Sequence, residues 1–165
     1  MPRYLIIDGY NAINKIEEVE AQKDSSLEAA RMYFIKMLSR FMSQKRIFDK
    51  VFIVFDGKER AFGIRRHSYG KVEALFTPGD RDADRVIIDL LKNAAPDDRI
   101  SVCSDDNFVR NHAKVFGRDV LSICELKKII LLKKKGFKSK IKEKDLDSSK
   151  IEHINEELKR HWGLK

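Results

Sequence analysis

Three short, mainly apolar runs each run out onto an aspartate, and this arrangement constrains the fold more than any other feature of the chain. Residues 3–7 are followed by Asp8, residues 51–55 by Asp56, and residues 99–103 by Ser104 and Asp105. The runs are too short for helices and rich in branched and aromatic side chains, so they read as strands. They do not alternate apolar with polar, as a strand with one wet face does. Both faces must be covered, which calls for a parallel sheet between layers of helix.

The intervening segments supply those helices. Residues 25–45 carry Leu27, Ala30, Phe34, Met37, Leu38 and Phe41 at helical spacing, with Ser25 or Ser26 as the cap. Residues 72–76 form a fourth strand, closed by Thr77-Pro78-Gly79, and residues 82–93 a second helix. A third helix runs to about Phe116, residues 119–122 make a last short strand, and residues 123–135 and 150–162 are two further helices. Residues 58–71 read as a basic, glycine-punctuated loop. The expected class is α/β, three-layer, with a central mainly parallel sheet. The expected division is a catalytic core over 1–123 and a basic helical extension over 124–165, packed on the same domain.

The carboxylates carry the functional argument. In an open parallel sheet the C-terminal strand ends share one edge, where ligands bind. Asp8, Asp56 and Asp105 end three strands there, and Asp80, Asp82 and Asp84 enter a helix just after a fourth. Carboxylates that close repel one another and are pushed towards protonation. A divalent cation relieves this, and oxygen-only donors suit Mg²⁺ or Mn²⁺. Such an ion can activate water and steady charge on a phosphodiester. Each acid also has a plainer role open to it: Asp82, Asp105 or Asp106 can simply cap the helix that follows.

Charge points to a polyanionic partner. The formal net charge is +8, and residues 125–165 hold a surplus of +6 of it. Lys58, Arg60, Arg65, Arg66 and Lys71 lie in the basic loop with Phe62 and Tyr69 among them, a mixture suited to phosphates and unpaired bases. Nine lysines fall between Lys127 and Lys144 against the single acid Glu143. Within that run Lys133, Lys134, Lys135 and Lys138 are expected to grip a nucleic-acid backbone, either that of a substrate strand or that of a larger particle on which the chain docks, which gives affinity without sequence choice.

With Asp8-Gly9-Tyr10-Asn11-Ala12-Ile13 in hand, the chain resembles the NYN domain family, specifically its YacP-like branch. Residues 51–57, 72–77, 82–87 and 102–105 resemble the other signature stretches of that branch, over about residues 3–116 in all. The resemblance implies a PIN-like fold and a metal-dependent endoribonuclease, with mRNA as substrate and the ribosome as its setting. It implies Asp8, Asp84 and Asp105 as metal-binding carboxylates, Asn11 beside them, and Asp56 as a supporting acid. The branch commonly has Thr where this chain has Asp82, so a metal contact there is left open.

Other classes fit less well. No apolar run approaches the ~20 residues of a membrane span, and residues 1–13 show no secretion signal. Cys103 and Cys124 are too few for a disulfide framework or a zinc site; Cys103 reads as core, and a reducing cytoplasm is the expected compartment. No small-molecule cofactor is implied. His67, His112, His153 and His161 read as surface or capping residues, and no Ser-His constellation is visible. A receiver domain needs a lysine at a late strand end, where this chain has Ser104-Asp105. A haloacid dehalogenase needs Asp where it has Tyr10. The remaining alternative is a non-catalytic RNA- or ribosome-binding module of the same fold.

Overall fold

The protein is described here as a computed structural model covering residues 1–57 and 63–131. Strands β1 (Arg3–Asp8), β2 (Lys50–Phe55), β3 (Arg65–Tyr69), β4 (Val72–Phe76), β5 (Arg99–Cys103) and β6 (Asp119–Leu121) form one sheet, ordered β3-β4-β2-β1-β5-β6. All neighbours pair in parallel except β3 with β4. The mainly parallel α/β expectation holds.

The antiparallel edge strand corrects the reading of residues 58–71 as loop throughout. Tyr69 pairs with Val72, so Gly70 and Lys71 make a two-residue hairpin turn, with Gly70 at φ 64°. The segment Arg65–Tyr69 carries no apolar run, and four of its five residues are exposed. Pairing with β4, not burial, makes it a strand.

Helices cover both faces. On one lie α1 (Gly9–Lys15), α2 (Glu17–Glu20), a 3₁₀ turn (Ala21–Asp24), α3 (Leu27–Gln44) and α6 (Ile123–Leu131); on the other lie α4 (Ala83–Asn93) and α5 (Asn107–Val115). The sequence reading had no helix at residues 9–20, although Ala12, Ile13, Ile16 and Val19 recur on one face and are buried. The caps follow local chemistry. Ser26 accepts from the Ala29 N–H at 2.9 Å, and Asp106 accepts from the Phe108 N–H at 2.8 Å. Ser122 and Glu125 form a reciprocal capping box at the start of α6.

Strand alternation divides the core. Ile6, Val54, Leu75, Ile100 and Val102 pack with Val86, Ile87 and Leu91 of α4 and Val109 and Ala113 of α5. Leu5, Ile7 and Ile53 turn the other way and are fully buried. Cys103 is buried as expected.

Candidate active site

The acids gather at the C-terminal edge of the sheet, and two glycines let them. Gly9 and Gly57 each follow a strand-ending aspartate. A Cβ on Gly9 would stand 2.4 Å from the Phe55 ring, and one on Gly57 would stand 1.9 Å from the Thr77 carbonyl oxygen. No side chain fits at either point. The exits of β1, β2 and β4 are therefore drawn close, and Thr77 tightens them by accepting the Gly57 N–H on Oγ1 at 3.0 Å.

Asp8 is the most enclosed acid of the set, 8% exposed. Its position in β1 matches the phase of Ile6, so it falls on the side of α4 and α5. Burial, then the charge of Asp84, push its carboxyl up to about 6; the Ser104 hydroxyl and the Asn11 N–H offset part of this. Ser104 Oγ lies 3.3 Å from Asp8 Oδ2 and accepts the Asp106 N–H at 3.1 Å, so one buried hydroxyl ties β1 to the loop after β5. Asp8 also occupies the N-cap position of α1 without a cap bond of good geometry.

Asp84 lies in the first turn of α4. Burial and the charges of Asp106, Asp56 and Asp82 raise its pKa. Asp56 accepts the Ala83 N–H on Oδ1 at 2.6 Å, whereas Asp82, which occupies the N-cap position, makes no side-chain cap bond. Asp56 is thus the carboxylate that fixes the start of this helix.

Asp105 is placed differently. It is one residue out of phase with Ser104 and turns to the face of α1 and α6. Its Oδ2 meets Lys15 Nζ at 2.9 Å and its Oδ1 accepts the Ile123 N–H at 3.0 Å. Burial works to raise its pKa, but Lys15, the Ile123 N–H and Arg110 outweigh this and leave it below the ordinary carboxylate value. Asn11 Oδ1 accepts the Asp105 backbone N–H at 2.9 Å, which pins this loop to α1. The charges of Asp84 and Asp56 are thus felt at Asp8, those of Asp56, Asp82 and Asp106 at Asp84, while the Asp105 carboxylate is held by a lysine. Lys15, Ser104 and Asp106 were not singled out from the sequence as site residues. Lys15 lies one helical turn after Asn11, a spacing that would have exposed it had α1 been read.

The expected RNA-gripping cations separate along β3. Arg65 pairs with Phe76 near the acid edge, and its guanidinium lies 5.7 Å over that ring. Phe76 stacks on Phe55, which contacts Tyr10, so an aromatic column runs beneath the acids. Arg66 is ion-paired with the buried Glu73 at 3.2 Å, and Glu73 also holds Lys50. Lys71 sits in the hairpin at the opposite end of the sheet from Asp8, its carbonyl bonded to the first residues of β2. Lys58, Arg60, Phe62, Lys133, Lys134, Lys135, Lys138 and the helix expected over 150–162 lie outside the described residues.

A divalent cation fits this donor set. A buried carboxylate whose pKa is raised by burial and by a neighbouring acid, with one hydroxyl and one backbone N–H to offset this, is the kind of group a cation stabilises in its charged form. Among the described residues no three acids stand close enough together to hold a metal ion between them. Mg²⁺ does not need three, because it keeps several waters and commonly takes one or two carboxylates.

Comparison with known proteins agrees with this fold. The sequence profile of the YacP-like NYN domain matches residues 5–163. The crystal structure of Rae1 (YacP) from Bacillus subtilis superposes with a TM-score of 0.63 at 23% identity, over 95% of this chain and 78% of that one. A tryptophan-to-leucine mutant of the same protein gives 0.61 at 24% identity, over 77% and 73%. At these identities the likeness is one of fold. None of the curated proteins compared matches the chain.

Proposed function

Since the chain belongs to the YacP-like NYN domain family and has its PIN-like fold, we propose that it is a metal-dependent endoribonuclease acting on mRNA in association with the ribosome. The observation that carries the reading is a buried Asp8 at the sheet edge whose pKa is raised to about 6 by its burial and by the nearby charges of Asp84 and Asp56. A carboxylate shifted as far as Asp8 in an otherwise ordinary core marks a working site more often than a structural one.

In this reading Asp8 and Asp84 hold Mg²⁺ or Mn²⁺, and Asp105 joins them as the third acid only on turning away from Lys15. The ion, when bound, supplies charge neutralisation and activation of water for displacement at phosphorus. The chain's own residues do the positioning. Asp56 fixes the helix that presents Asp84, Ser104 holds one oxygen of Asp8, and Asn11 holds the Asp105 backbone. Lys15 balances Asp105 while no cation is bound. Arg65, at the acid end of β3, is placed to meet a phosphate of the incoming strand.

The test uses labelled mRNA, free and in translating ribosomes, with Mn²⁺, Mg²⁺ or chelator, beside Asp84→Asn. Metal-dependent internal cuts that the variant cannot make are the expected result, and their restriction to ribosome samples would fix the setting. Cuts that survive Asp84→Asn would remove the acid site. Binding with no cuts in any condition would leave an RNA-binding module.

A further inference from the structure

Away from the acid edge, a groove of about 480 Å³ opens between α4 and α5, with Phe108 and His112 on the α5 side and Arg81, Arg85 and Lys92 on the α4 side. The chemistry proposed above does not use it.

Phe108 is 52% exposed, a large aromatic surface to leave in water. Its ring meets the His112 imidazole at 4.3 Å between centroids, and His112 Nδ1 lies 2.8 Å from the Phe108 carbonyl oxygen. A carbonyl only accepts, so Nδ1 carries the hydrogen and Nε2 is an acceptor while the ring is neutral. The two rings are held in place by their own helix, before any ligand arrives.

The polar wall is equally suggestive. Arg81, Arg85 and Lys92 are exposed and, among the described residues, engage in no ion pair. Asp80 and Asp89 also border the groove. The balance suits one or two phosphates and not a long polyanionic track. The groove also adjoins the acids. Phe108 donates its N–H to Asp106, and Arg81 and Arg85 flank Asp82 and Asp84 in sequence.

We propose that this groove holds single-stranded RNA beside the acid site, with one unpaired base against Phe108 and His112 and the adjoining phosphate on Arg81 and Arg85. The proposal rests on the nuclease reading for its choice of ligand and adds to it a nucleotide subsite. Stacking on an aromatic face accepts any base, and cations grip the backbone without reading it. A protein side chain would also find an aromatic and arginines attractive. The position next to the acids favours the nucleotide.

The experiment measures binding of a fluorescein-labelled oligoribonucleotide to the full chain in chelator, so that cleavage plays no part. Phe108→Leu removes the π-face and keeps apolar bulk; it should weaken binding at least fivefold, the low end of what one stacked base contributes. Phe108→Trp should bind within about twofold of the parent. Arg85→Gln should lower the slope of log affinity against log salt by about 1. Thermal unfolding of each variant accompanies these measurements. Parent-like binding by a folded Phe108→Leu would overturn the proposal and give the groove to a protein partner. An unchanged salt slope for Arg85→Gln, or no RNA binding by the parent, would also overturn it. Binding through Phe108 without cleavage under any condition keeps the groove and removes the nuclease. Cleavage with Phe108→Leu binding normally does the reverse.

Discussion

The carboxylate of Asp56, at the end of β2, accepts the backbone N–H of Ala83 at 2.6 Å and so caps a helix from another strand. The residue after Ala83 is Asp84. One hydrogen bond thus sets the distance between two acids that repel each other.

Asp56→Ala should cost about 1 kcal/mol of stability, the usual value of a lost N-cap acceptor. It should also lower cleavage, because the first turn of α4 is released. Asp82→Ala, at the nominal cap position, should be close to neutral in stability. Asp56→Asn keeps an acceptor and should restore stability. Urea unfolding of the three variants decides the matter, and a larger loss for Asp82→Ala than for Asp56→Ala would contradict the assignment.

Metal-free stability should fall between about pH 4 and 6. Asp8 rises from an ordinary 3.8 to about 6 on folding. In that interval the folded chain binds more protons than the unfolded one. The contribution is therefore complete below the unfolded value and is lost as pH climbs through the folded one. Its full size is on the order of 3 kcal/mol, and Asp84 is shifted in the same direction. Unfolding in chelator at pH 4, 5, 6 and 7, compared with Asp8→Asn, should show the parent losing ground to the variant. A difference that does not change with pH would mean that folding leaves the Asp8 pKa at its unfolded value.

Gly57→Ala should destabilise by roughly 1–3 kcal/mol, the range for a forced overpacking. The added carbon would meet a backbone carbonyl at 1.9 Å, and backbone cannot swing aside as a side-chain tip can. The midpoint of denaturant unfolding should drop with its slope unchanged. A parent-like midpoint would mean that the β2 and β4 exits are looser than described.

Lys15→Met should tighten Mn²⁺ binding by about twofold to fivefold, since an exposed pair of this kind contributes up to roughly 1 kcal/mol in competition with the ion. Lys15 is the cation that Asp105 holds, at 2.9 Å. Titration calorimetry of parent and variant reads the change. An unaltered affinity would take Asp105 out of the ligand set and leave Lys15–Asp105 as a brace between α1 and α6.

Much of the fold was open to reading because the central strands are apolar on both faces and end in acids. The same property hid the orientation of the residues beyond them. In Ser104-Asp105-Asp106 a single step of phase separates a side chain facing α4 from one facing α1, and an unbroken apolar run contains no mark of which is which. The sequence reading took Asp105 towards the other acids; Ser104 is the residue that reaches Asp8, while Asp105 meets Lys15. The short helix at residues 9–15 escaped because Gly9, Tyr10 and Asn11 are weak helix formers, and with it went Lys15. Strand β3 escaped because its residues are charged and exposed, and only a partner strand makes them extended.

That strand has another consequence. A sheet with open sides invites further strands, and chains with long, flat, apolar borders stack upon themselves. Here one border is the three residues of β6, too short to template anything, and the other presents Arg65 and Arg66 along an exposed rim. Two copies meeting rim to rim with these arginines aligned would bring like charges together. Self-repulsion at the boundary guards this fold against fibre-like growth.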